Sequence, residues 1–141
     1  MAAPMPPPVK LSSAALTGIL VILGAMAAGV FAWILFLAPG LVIDQRLWWT
    51  GFVSLIFAFL SYLVYAGTES KPLRRLAGGL FIVSAGSFYG SIFTSAADLG
   101  IMLLWAVVLS VLVVIVLLGV FVMAREAEAT QARLAQRKLT P

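Results

Sequence analysis

The sequence predicts an all-α fold: a polytopic membrane protein built as a four-transmembrane-helix bundle. Three observations predict it. Four long apolar stretches, almost free of charge, run through the 141 residues. Hydrophobic residues make up 63% of the chain and its mean hydropathy is +1.14, more apolar surface than a soluble protein this small can bury. Of the nine Lys and Arg, eight fall in three clusters that flank the apolar stretches and only Arg46 stands apart.

The organisation follows in order. Residues 1–11 form a Pro-rich N-terminal arm with a single Lys10. The first span covers residues 12–38 and carries no charge; Ser12 or Ser13 can cap its start and Pro39-Gly40 stops it. It is much longer than the apolar region of a cleaved signal, so we expect a retained helix. Residues 41–47, holding Asp44, Gln45 and Arg46, are expected as a short loop before a second span over 48–66.

Ser70 precedes Pro72 as a plausible cap for the third span, residues 73–96. Arg74 and Arg75 sit at its start, where long side chains can snorkel to headgroups. Asp98 is placed to cap the fourth span, residues 100–124, the most apolar of all. Val107 to Leu118 is β-branched enough to read as strand in water, but its length and a lipid solvent favour helix. Residues 125–141 form a charged tail of good helix formers with no internal Gly or Pro, expected to continue the fourth helix and fray near Thr140. Within it Ala127, Gln131, Leu134 and Lys138 share a face.

An even number of spans places the N-terminus, the middle connection and the tail on one side. Lys10; Lys71, Arg74 and Arg75; and Arg125, Arg133, Arg137 and Lys138 then oppose Arg46 alone. The excess of basic residues assigns that side to the cytoplasm of a plasma or inner membrane. Trp33, Trp48, Trp49 and Trp105 fall near the outer ends of the spans, and Tyr62 and Tyr65 near the inner end of the second.

Chemistry has little to work with. The chain contains no Cys and no His, which excludes disulfides, the usual zinc sites and Cys- or His-based nucleophilic triads. Asp44 and Glu69 are expected on opposite sides of the membrane and cannot pair. No Gly-rich phosphate loop is present. We expect no enzyme activity, no cofactor, no metal and no nucleic-acid partner.

Two kinds of helix face remain. Gly24, Ala28 and Ala32 in the first span, and Gly86 and Gly90 in the third, have the small-residue spacing that lets helices approach closely in lipid. Ser84, Ser87, Ser91, Thr94 and Asp98 put polar groups on one face of the third span, either for packing or as a polar path. Lys71, Arg74 and Arg75 are candidate ligands of a lipid headgroup.

In helix count the chain is similar to the small four-helix multidrug carriers. Those carriers rely on a membrane-embedded Glu in their first helix, and no such Glu exists here, so the similarity implies no carrier mechanism. In size and lack of ligand residues the chain looks like the supernumerary subunits of respiratory oxidases or photosynthetic assemblies. The expected function is a non-catalytic accessory or structural subunit of a larger integral-membrane complex, with other integral-membrane subunits and membrane lipids as partners. The alternative is a homo-oligomeric small channel or transporter lined by the hydroxyl face of the third span.

Overall fold

Capping at the two ends of the first helix sets where it starts and how it stops. The computed structural model describes residue 7 and residues 9–139, without the side chains of Ala127, Gln131, Lys138 and Leu139. Most of the expected arm, the fraying at Thr140 and three of the four side chains of the expected tail face therefore lie outside the described residues. Helix α1, Ser13–Ala32, begins at Ser12, whose Oγ accepts the Ala15 N–H at 3.2 Å. It ends in a π-helical turn, Trp33–Leu37, closed by the Ala38 N–H on the Trp33 carbonyl at 2.7 Å. Pro39 cannot continue the helix, and Gly40 at φ +74° reverses the chain.

Helix α2, Ile43–Thr68, starts earlier than the sequence suggests and takes in Asp44, Gln45 and Arg46. Two charges explain the difference. Asp44 lies in the first turn of α2, where the helix dipole favours a carboxylate. Arg46 turns back onto the end of α1, donating from Nε to the Leu41 carbonyl at 2.9 Å and from its terminal nitrogens to the carbonyls of Ile34 at 3.2 Å, Leu35 at 2.5 Å and Ala38 at 3.0 Å. A helix C-terminus leaves its last carbonyls without intrahelical donors. One guanidinium, with five N–H groups in a planar fork, serves three of them, at Ile34, Leu35 and Ala38, and the loop carbonyl of Leu41 as well.

The next reversal is tighter. Glu69 adopts a left-handed conformation at φ +52° and returns its N–H to the Tyr65 carbonyl at 2.6 Å. Ser70 follows in extended conformation as the cap of helix α3, Lys71–Thr94, although its side chain makes no capping bond, and Pro72 occupies the first turn. Val9 is tied to this end, its N–H donating to the Gly67 carbonyl at 3.0 Å.

Helices α2 and α3 form a tightly packed antiparallel pair. Gly51 is where they come closest, because a methyl built there would lie 3.1 Å from the Phe88 ring. Helix α1 joins through Ala27, which shares a small core with Phe57, Ala58 and Leu80, flanked by Leu23 and Phe31.

Two compact units meet at Ala97 and Asp98. The second is helix α4, Leu99–Leu139, 41 residues and about 60 Å long at 1.5 Å per residue. Its first turn closes with the Met102 N–H on the Asp98 carbonyl at 3.0 Å. The expected tail is helical as far as Leu139. All four helices are long and apolar enough to cross a membrane.

Candidate functional site

The buried hydroxyls among the described residues of the first unit belong to α2 and α3. Thr50, Ser54 and Ser61 of α2 and Ser84 and Ser91 of α3 are all buried, and Ser54, Ser61 and Ser84 are almost completely so. In lipid an unsatisfied hydroxyl is costly, so each needs an acceptor. Thr50 and Ser54 use their own helix, donating to the carbonyls of Arg46 at 2.8 Å and Thr50 at 2.7 Å. Ser84 instead crosses the interface and donates to the Gly51 carbonyl of α2 at 2.8 Å. That carbonyl is reachable because Gly51 lacks a side chain, the same property that admits the Phe88 ring. Ser61 Oγ is buried without a hydrogen-bond partner.

The polar residues expected on the third span thus divide. Ser84 and Ser91 are buried and Ser87 is half-buried. Thr94 is exposed and bonds back to the carbonyls of Gly90 at 2.8 Å and Ser91 at 3.4 Å. Asp98 is exposed and opens the second unit. The α3 hydroxyls are therefore spread from a sealed seam to an open surface.

The small-residue faces divide as well. Gly90 meets Leu47, 3.2 Å from where a methyl would stand. Gly24 and Gly86 have no neighbouring atom within 4 Å of that position, and Ala28 and Ala32 are exposed. On α1 the exposed small residues Gly18, Ala25, Ala28 and Ala32 lie on one side, roughly opposite the buried Ala27 at 100° per residue. Within the chain the close approach falls at Gly51 and Gly90.

At the end of α2 that leads into α3, Lys71, Arg74 and Arg75 are all exposed, as are Lys10 and Glu69. At the opposite end of α2, Trp48 stacks on Phe52 with centroids 5.7 Å apart and meets Phe88 and Trp49 edge-on at 6.2 Å and 5.3 Å. On α4, Arg125 lies over the Phe121 ring at 5.5 Å, at the boundary between the apolar run and the charged tail. Among the described residues no cluster of acidic side chains could hold a metal ion.

Two features escaped the sequence. The buried hydroxyls of α2, Thr50, Ser54 and Ser61, recur one and two helical turns apart but were hidden among aromatics. Arg46 as a cap on α1 was signalled only by its place just after the Pro39-Gly40 reversal. The chain matches no family model, no curated protein and no solved structure.

Proposed function

We propose that this chain is a non-catalytic accessory subunit of a larger integral-membrane complex, sitting in a plasma or inner membrane with both termini in the cytoplasm. One observation carries the reading. The outward side of α1 sets Gly18, Ala25, Ala28 and Ala32 beside the exposed Val21 and Ile22, and among the described residues no other element comes within 4 Å of a methyl built on Gly18 or Gly29. A helix surface that only meets lipid gains nothing from small residues. A surface that receives another helix does, because small side chains allow backbone approach and dispersion contact. The other subunit supplies that helix, and membrane lipids cover the remaining apolar surface.

The cytoplasmic assignment is supported by eight basic residues against Arg46. The Val9–Gly67 hydrogen bond, which joins the arm to the α2–α3 turn, supports a shared side for both. A channel lined by the α3 hydroxyls is the weaker reading, since Ser84 is buried and its hydroxyl is committed to Gly51.

Native mass spectrometry after gentle detergent extraction from the source membrane tests the proposal. The expected result is a stoichiometric assembly with larger membrane proteins, lost in an Ala25→Leu, Ala28→Leu variant. A lone, stable monomer with wild-type sequence would overturn it.

A further inference from the structure

We infer that the end of the first unit where α2 turns into α3 is a composite site for the phosphate of an anionic phospholipid headgroup, with Lys10 of the N-terminal arm completing a cluster begun by Lys71, Arg74 and Arg75. The inference rests on the membrane reading above but not on the accessory-subunit role.

The first observation is the placement of charge. Lys71, Arg74 and Arg75 are spaced three and four apart, so they are neighbours on one helix surface. Leu73, completely buried, points the other way and anchors the turn, which fixes the basic side outward. All three residues occupy the start of α3, where no acidic residue lies in the first turn. That end of a helix carries partial positive charge, so cations there are electrostatically misplaced unless an anion joins them. Among the described residues none of the three makes a side-chain ion pair or hydrogen bond.

The second observation comes from a different part of the chain. The Val9 N–H bonds to the Gly67 carbonyl at 3.0 Å and so fastens the arm beside the α2–α3 turn. Lys10 is the next residue, and it too is exposed. Four cations therefore face one carboxylate at this end, that of Glu69, which the left-handed turn leaves exposed. Topology alone accounts for basic residues near the end of a span. It does not account for an arm stapled by its backbone to the same turn.

A lipid phosphate fits this arrangement better than a soluble anion. Lys and Arg at a helix end reach along their apolar stems to the headgroup layer, where a phosphodiester is held at high local concentration. Arginine forks bind phosphate oxygens in pairs, and the lysines add point charge.

The test uses the full chain in phosphatidylcholine nanodiscs doped with phosphatidylglycerol, with retained lipid counted by native mass spectrometry. The wild type is expected to retain phosphatidylglycerol over phosphatidylcholine. Arg74→Gln with Arg75→Gln should lower that preference roughly 25-fold and Lys10→Gln roughly fivefold, about a factor of five per basic residue at an anionic surface. Arg133→Gln with Arg137→Gln, the same loss of charge in the tail, should leave it unchanged. If the α3 double variant fails to insert, Lys10→Gln still decides the matter, because it alters no helix. Equal loss in the tail variant, no loss in Lys10→Gln, or displacement of the lipid by millimolar inorganic phosphate would overturn the assignment. Loss of partner subunits would leave all these readings unaffected, so the two proposals fail separately.

Discussion

Helices α2 and α4 differ in make-up, the first packed within its unit and the second a unit by itself. The most apolar window of α4 has a mean hydropathy of 3.3 and none of it is buried, whereas that of α2 has a mean hydropathy of 1.8 and 33% of it is buried. In water the more apolar helix would hide first, because removing apolar surface from solvent drives packing. For helices fit to cross a membrane that drive is absent, since lipid tails are as apolar as leucine. What separates the two is side-chain size and hydrogen bonding. The buried positions of α2 are Thr50, Gly51, Ser54, Phe57, Ala58 and Ser61, mostly small or hydroxylated. The exposed positions of α4 are large aliphatics such as Val114, Ile115, Leu117 and Leu118.

The sharpest way to break this comparison is to put the same bulk into both helices. Gly51→Leu forces a side chain into the space the Phe88 ring already fills at 3.1 Å. Overpacking of this kind costs about 3 kcal/mol, and flexible relaxation of Phe88 is limited by its contact with Trp48. Gly119→Leu on α4, where nothing lies within 4 Å, is expected to change stability by less than about 0.5 kcal/mol. Reversible unfolding of both variants in mixed micelles provides the measurement. Equal losses would mean that size does not distinguish the two surfaces.

Arg46→Ala is the next largest effect. It strips the donors from three carbonyls at the end of α1 and from the loop carbonyl of Leu41, at an expected cost of about 2 kcal/mol. Arg46→Lys should recover less than half, because one ammonium cannot span the π-helical turn as the guanidinium does. Hydrogen exchange of Ile34 to Leu41 reads the change locally, and full recovery by lysine would show that charge alone, not the fork, holds the turn.

Smaller still is Ser84→Ala, which deletes a hydroxyl bond that crosses from α3 to α2 and should cost about 0.6 kcal/mol. Thr94→Val removes a hydroxyl that bonds only within α3 and should be close to neutral. Reversible unfolding of the two variants measures the difference, and equal losses would place the value of Ser84 elsewhere than in that bond.

Much of this architecture was legible in the residues, and the reason is physical. Long apolar runs and flanking charge depend on the solvent, which one sequence reveals by itself. Ser12, Pro39-Gly40 and the Ser70–Pro72 step act locally, so the helix boundaries they set were readable too. The start of α2 was not, since it depends on Arg46 reaching carbonyls eight to twelve residues back in the chain. Nor was the choice of contact faces. Gly24, Gly51, Gly86 and Gly90 look alike in sequence, yet only Gly51 and Gly90 meet another helix, because which side of a helix faces its partner is decided by tertiary register. Ser84 and Thr94 share a face by spacing, and their different fates follow from how far the α2 contact extends along α3.

Helix α1 tests whether the contrast between α2 and α4 extends beyond the chain. Its window is nearly as apolar as that of α4, with a mean hydropathy of 2.6 and 11% buried, but its outward side sets alanine and glycine among larger residues such as Val21 and Ile22. If small residues mark protein contact wherever they occur, Ala25→Leu with Ala28→Leu should alter the stability of the isolated chain by less than about 0.5 kcal/mol, since both residues are exposed in it. The same pair should release the chain from its larger assembly, while Val114→Leu with Val116→Leu on α4 releases nothing. Both pairs enlarge apolar side chains, the alanine pair by more, so transfer to lipid favours both and cannot explain release by the α1 pair alone. Release by the α4 pair alone would mean that the large aliphatic surface is the docking side and that the small residues of α1 face lipid.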